Sequence, residues 1–164
     1  METHHDTKKQ EARAEYIKVE PNVRLHITDM GEGRPIVLIP GWPLSDEMYE
    51  YQYNDLVNAG FRAIGITLRG FGKSDKPYGD YQYDIHVQDI KKVLEKLDIT
   101  DAVLVGFSMG GAIALRLAAT DDETRISKLV LAGAAAPIWT QRDDFPYNLP
   151  KNAVDELIKL NSKD

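Results

Sequence analysis

A serine flanked by glycines stands near the end of DAVLVGFSMGG, residues 101–111, and its surroundings suit it to nucleophilic chemistry. AVLVGF is a short apolar run of strand length, and MGGAIALRLAAT is apolar nearly all round, as a buried central helix would be. Gly106-Phe107-Ser108-Met109-Gly110 therefore falls where a buried strand gives way to a buried helix. Small residues let the two elements approach closely. The serine is thereby placed on a sharp turn above the carboxyl end of the sheet, where ligands bind in open α/β folds. The N–H of Met109, opening the helix, points toward any oxyanion formed at that serine. By composition alone G-x-S-x-G arises in roughly one chain in twenty of this size, so the pattern counts only through its position. The competing reading is a glycine-rich packing turn with an incidental serine.

A second stretch, IPGWPLS (39–45), follows another apolar run. Its backbone N–H groups could complete an oxyanion hole, and Trp42 is the natural donor because Pro43 has no N–H. Without the serine it reads as a Pro/Gly-rich connection with an aromatic packed on the sheet. A serine hydroxyl also needs a base, since it is a weak nucleophile at neutral pH. The four histidines are His4, His5, His26 and His86. His4 and His5 lie in a polar end and read as part of it rather than as metal ligands. His26 alternates with Leu25 and Ile27, which assigns it to the solvent face of a strand. His86 falls in line with Ile90, Val93 and Leu97, as a packed structural histidine would.

The elements that must position these residues follow from periodicity. YIKVE and VRLHIT alternate around Pro21-Asn22 as an antiparallel hairpin. PIVLIP, FRAIGIT (61–67), AVLVGF (102–107) and KLVLAGA (128–134) are continuous apolar runs of the kind that suits strands covered on both faces. Between them, Ser45 can cap a helix carrying Tyr49, Tyr53, Leu56 and Val57 that Gly60 ends. Asp84 opens a second helix, with Ile90, Val93, Leu94 and Leu97 on one face. After the loop APIWTQRDDFPYN, the stretch from Pro150 spaces Val154, Leu157, Ile158 and Leu160 helically. Strands alternating with helices predict an α/β protein with a mostly parallel sheet.

With 164 residues, 43% of them hydrophobic, the chain can bury the core of one domain. Lys and Arg number 20 against 26 Asp and Glu, a net charge of −6 without a basic run. That disfavours a nucleic-acid or anionic-membrane partner. The absence of cysteine excludes disulfides, thiolate nucleophiles and cysteine metal sites. No apolar run approaches the ~18 residues that span a bilayer. The polar N-terminus has no signal-like core, so the expectation is a cytoplasmic location without a membrane partner. A nucleotide site is disfavoured, because no G-x-G-x-x-G or G-x-x-x-x-G-K-[ST] follows a strand.

VLIPGWPLS, TLRGFGKSDKP and LVGFSMGGAIAL, in this order and spacing, resemble the α/β-hydrolase superfamily, close to its serine esterase and cofactor-free haloperoxidase branch. The resemblance runs over residues 15–138. It implies a Ser-His-Asp hydrolase of a small-molecule ester or related acyl substrate, needing no cofactor and no metal. Ser108 is then the nucleophile, and the Trp42 and Met109 amides form the oxyanion hole. The same residues suit ester hydrolysis and peroxide-dependent activity alike. Asp75, in the loop after the fourth strand, corresponds to a structural acid rather than the triad acid.

The fold class implied is α/β, a mostly parallel α/β-hydrolase-type sheet with an N-terminal antiparallel hairpin and its C-terminal strands missing. Residues 1–13 are then a polar tail, 14–136 the N-terminal part of the core, and 137–164 the start of a lid. Two departures qualify the match. Pro40-Gly41 stands where the family commonly has His-Gly, a slight change. More consequentially, no histidine follows Ser108, whereas the family places acid and histidine after the serine. Asp143 and Asp144 fit a lid loop better than the acid. The expectation is therefore that the triad acid and histidine lie outside a truncated chain, inactive alone and able to self-associate through KLVLAGA as an exposed edge strand. The alternative is a non-catalytic pseudoenzyme or small-molecule binding scaffold of the same fold.

Overall fold

Pro21-Asn22 turns the chain back on itself, pairing β1 (Tyr16–Glu20) antiparallel with β2 (Val23–Met30). The structure, a computed structural model, describes residues 13–121, 125–135, 138 and 140–162. The expected tail therefore lies outside the described residues except for Arg13, and His4 and His5 lie outside them altogether. The four apolar runs become β3 (Pro35–Ile39), β4 (Arg62–Ile66), β5 (Ala102–Phe107) and β6 (Ile126–Ala132). They form one sheet of order β1-β2-β4-β3-β5-β6. β2 runs antiparallel to β4, while β3 pairs parallel with both β4 and β5, and β5 parallel with β6.

Why the runs are continuously apolar is visible in where their side chains go. Val37 and Ile39 of β3 and Leu104 of β5 join the core containing Ile90, Val93 and Leu94 of α2 (Tyr83–Lys96) and Ile113 and Leu117 of α3 (Met109–Ala119). Their neighbours Ile36, Leu38, Val103 and Val105 face the other way, against Tyr53, Leu56 and Val57 of α1 (Glu50–Asn58). Strand alternation thus supplies apolar groups to helices on both faces. Each large side chain so buried contributes about 1.5–3 kcal/mol of transfer free energy. The loop after β4 is tied down by charge. Arg69, buried, donates to both carboxylate oxygens of Asp89 on α2 at 2.6 Å and to Glu20 of β1 at 2.5 Å.

Three expectations need correction. His26 is buried at 5% exposure, because the Tyr16 ring stacks edge-on against it and the 3₁₀ turn Asp46–Tyr49 places a carboxylate 3.1 Å from its Nδ1. Sequence alternation located the face correctly but could not show that another segment covers it. Ser45 precedes that 3₁₀ turn without a side-chain capping bond, since Glu50, not Ser45, opens the regular helix. The run KLVLAGA is not covered on both faces: Val130 and Leu131 are 47% and 42% exposed, on opposite sides of β6.

Among the described residues β6 pairs only with β5 and closes one edge of the sheet. An edge with uncovered apolar side chains is a template for another strand. The 164-residue polypeptide is accordingly expected to self-associate with rising concentration, and Val130→Lys with Leu131→Lys to lower its apparent mass. Light scattering after size-exclusion chromatography checks this; a monomer at every concentration would contradict it.

Candidate active site

The junction between β5 and α3 is closed by glycines that have no room for a side chain. A Cβ on Gly106 would stand 2.5 Å from the Gly110 carbonyl oxygen and 2.6 Å from the Gly111 Cα. On Gly110 it would run into the Ile39 and Pro40 carbonyls, and on Gly111 it would lie 2.5 Å from the Ala134 Cβ. The first turn of α3 is thus wedged between β5, the end of β3 and the segment after β6. The chain can turn from strand to helix in so little space only through Ser108, at φ 51° and ψ −117°. A non-glycine residue there costs roughly 1–3 kcal/mol and persists when its surroundings over-determine it. They do so here. The Ser108 N–H donates to the Ala132 carbonyl at 3.1 Å, and the Ser108 carbonyl accepts from Gly111, Ala112 and Ala135.

The loop after β3 arrives at the same point, because Ile39 is in register with Gly106. A Cβ on Gly41 would lie 2.9 Å from the Ser108 Cβ, so the backbone there rests against the serine. The Leu44 N–H then returns to the Gly41 carbonyl at 2.8 Å, turning the chain across Trp42 and Pro43. No turn, loop or cap bond among the described residues uses the N–H of Trp42 or Met109. The Met109 amide opens the first turn of α3, ahead of the Gly111 and Ala112 N–H groups that bond the Ser108 carbonyl, and lies at the positive end of the helix dipole.

Above the serine lies a cavity of about 480 Å³ lined by Trp42, Tyr83, Met109, Ala135 and, from α4 (Lys151–Asn161), Val154, Leu157, Ile158 and Asn161. Its walls are mainly apolar. Apart from Ser108, polar groups come from Tyr83, whose hydroxyl pKa is raised by burial, and from Asn161, whose Nδ2 donates to the Leu157 carbonyl at 3.1 Å. No histidine, carboxylate or cation is among these lining residues. Sequence reasoning found the apolar face of α4 but not its target, and it did not single out Tyr83. The only available signal was the apolar spacing itself, which does not say what an amphipathic helix covers.

The remaining candidates separate from the serine. His86 is buried on α2, outside the cavity lining, and its Nδ1 has no hydrogen-bond partner among the described residues. Asp75 accepts from the Arg24 N–H at 2.8 Å and braces the loop after β4 against β2, the role of a structural acid. Asp143 and Asp144 are exposed, and Asp144 pairs with Arg142 at 3.0 Å. Among the described residues no group of three or more His, Cys, Asp or Glu could hold a metal, and no helix is long and apolar enough to cross a membrane.

Two outcomes follow from this geometry. Gly110→Ala is expected to lower stability by about 1–3 kcal/mol or more, as overpacking against rigid backbone does, read from urea unfolding. An unchanged midpoint would contradict the wedge. Burial, with Arg69 adding to it, holds His86 below the ordinary imidazole pKa, although Asp89 opposes the shift. The unfolded chain therefore takes up the proton first. Stability is fully present above the unfolded value of about 6.5 and is lost as pH falls from there toward the folded value, at most about 1.4 kcal/mol per pH unit. His86→Gln is expected to flatten that limb in urea titrations between pH 7 and 5.

Comparison with known proteins identifies the fold family of this chain. The family description "alpha/beta hydrolase fold" matches residues 34–158. The AB hydrolase superfamily protein YisY of Bacillus subtilis (strain 168) is 48% identical over 145 residues, 88% of this chain and 54% of its own length. Among solved structures, an esterase from Exiguobacterium antarcticum is 43% identical with a TM-score of 0.87, over 93% of this chain and 57% of that one. A bromoperoxidase from Bacillus anthracis is 38% identical with a TM-score of 0.85, over 91% and 55%. The chain spans about half the length of the relatives it matches.

Proposed function

This chain belongs to the alpha/beta hydrolase fold family, and we propose that it carries the nucleophile and oxyanion hole of a serine hydrolase acting on an ester with an apolar acyl part. The observation that supports the reading best is Ser108, held in a strained conformation at the floor of an apolar cavity beside two amides without loop, turn or cap partners. In this reading the Ser108 Oγ attacks the ester carbonyl carbon, and the carbonyl electron pair moves onto oxygen. The N–H groups of Trp42 and Met109 receive the resulting negative charge, and preorganised donors of this kind are worth about 10²–10³ in kcat each. Collapse expels the alcohol and leaves an acyl group on Ser108, which water then removes. Trp42, Met109 and the apolar face of α4 hold the acyl part and exclude water.

The Ser108 proton needs an acceptor, and none of the residues lining the cavity is a base. The proposal therefore assigns the triad histidine and acid to sequence outside this chain and takes the 164 residues alone to be essentially inactive. Residues 14–136 are read as part of the core and 137–164 as the start of a lid, which the position of α4 over the serine supports. The names esterase and bromoperoxidase among the relatives are compatible with either ester hydrolysis or a peroxide-dependent reaction at the same serine.

In the native protein, turnover of a short-chain nitrophenyl ester and labelling by a fluorophosphonate probe are expected to fall about 10⁴-fold or more on Ser108→Ala. The 164-residue polypeptide should label slowly or not at all. Turnover that survives Ser108→Ala would overturn the assignment. Tight binding of the ester with neither turnover nor labelling in the native protein would favour a binding scaffold.

A further inference from the structure

Four residues beyond Trp42 the chain places a carboxylate entirely inside the protein. Asp46 opens the 3₁₀ turn Asp46–Tyr49, has no exposed surface, and among the described residues pairs with no arginine or lysine. Burying an unpaired carboxylate is costly unless hydrogen bonds replace the lost water. Here they do, and they come from three different elements. From β2, the Thr28 Oγ1 donates at 2.5 Å and the His26 Nδ1 lies at 3.1 Å. From α1, the Tyr53 hydroxyl donates at 3.0 Å, and from the end of β4 the Thr67 hydroxyl donates as well. The Asp46 N–H is used too, donating to the Thr67 Oγ1 at 3.0 Å. A carboxylate is the acceptor that suits so many convergent donors, and its pKa reflects them. Burial alone would raise it, but the bonds from Thr28, Thr67, His26 and Tyr53 outweigh burial and hold it below the usual carboxylate range.

Position makes this cluster more than a core detail. Gly41 rests on Ser108 at one end of the loop, and Asp46 is locked into the sheet at the other. Only Trp42, Pro43, Leu44 and Ser45 lie between these anchors, and Ser45 also packs against the glycine turn at Gly72. A four-residue span between two fixed points has few ways to move. Resting on the reading of Trp42 as an oxyanion donor, we propose that Asp46 is the positioning residue that fixes the Trp42 amide for catalysis, acting through the loop and not on substrate. A fully satisfied buried network of this kind rigidifies its surroundings and specifies one conformation. The expected signature is therefore local.

The test uses the native protein with Asp46→Asn, Asp46→Ala and the milder Thr28→Val, which removes one donor and keeps the fold should the Asp46 variants misfold. Backbone amides of residues 41–49 are expected to exchange hydrogen about tenfold faster or more, with those of β3 and β5 unchanged. In a background where every other tryptophan of the native protein, Trp139 included, is replaced by Phe, the Trp42 fluorescence anisotropy should fall. Ester turnover should lose about 10- to 100-fold in kcat with KM within about twofold, as expected for a displaced transition-state donor. Thr28→Val should show the same pattern at smaller amplitude. Unchanged exchange at 41–49, or a rise shared equally by β3 and β5, overturns the proposal, and so does an unchanged kcat where Ser108→Ala abolishes turnover. If turnover survives Ser108→Ala, the serine reading fails separately, while exchange and anisotropy still decide whether Asp46 holds the loop.

Discussion

The close approach of α3 to the end of β5 is the constraint on which the rest of this molecule depends. Gly106, Gly110 and Gly111 let backbone meet backbone at distances no side chain would permit. A helix brought so near must begin almost at once, and the single residue left to make the turn is driven into the left-handed region. That residue is Ser108. Its strain is offset by four backbone hydrogen bonds, one made by its N–H and three received by its carbonyl. The side chain is therefore presented at the end of the sheet as a consequence of packing.

The same closeness organises the neighbouring loops. Because β3 lies beside β5 in register, the segment leaving β3 has nowhere to go but past the serine. It is then captured by a buried carboxylate whose donors belong to β2, α1 and the end of β4. The loop after β4 is fixed independently, through the buried Arg69–Asp89 pair and through Ser74, whose hydroxyl donates to the Thr67 carbonyl at 2.6 Å. One end of the sheet is thus crossed by loops anchored at both ends. Such anchoring suits a site that must hold donors still, since displacement of a few tenths of an ångström already weakens a preorganised interaction.

Charge and burial are distributed unevenly between the two ends of the sheet order. At the β1–β2 end, polar groups are buried and paired: Asp29 accepts from Arg13 at 2.7 Å and from Arg62 at 2.7 and 2.9 Å, and Asp46 gathers three hydroxyl donors and the His26 ring. At the β6 end, apolar side chains stand uncovered instead. The chain spans about half the length of these relatives. Hydrophobic burial is the main stabilising contribution in a folded domain, and in this chain it is least complete at β6.

Much was legible in the sequence for local reasons. Short apolar runs, glycine after helices and a proline-asparagine turn are properties of neighbouring residues, so the hairpin, the four parallel-type strands and the helices follow from periodicity. The serine turn was legible too, because the demand for small residues at a tight junction is written within six positions. What sequence could not determine is what lies opposite a given face. His26 has the alternation of a solvent-facing residue, and only the approach of Asp46 and Tyr16 buries it. Asp46 itself looks like an ordinary acidic residue at the start of a helix, since its four donors come from positions 18 to 21 residues upstream or downstream and from Tyr53. Likewise α4 announces an apolar face without saying that it roofs Ser108. Local chemistry is set by spacing along the chain; burial and charge pairing are set by distances across it, and those exist only once the sheet has formed.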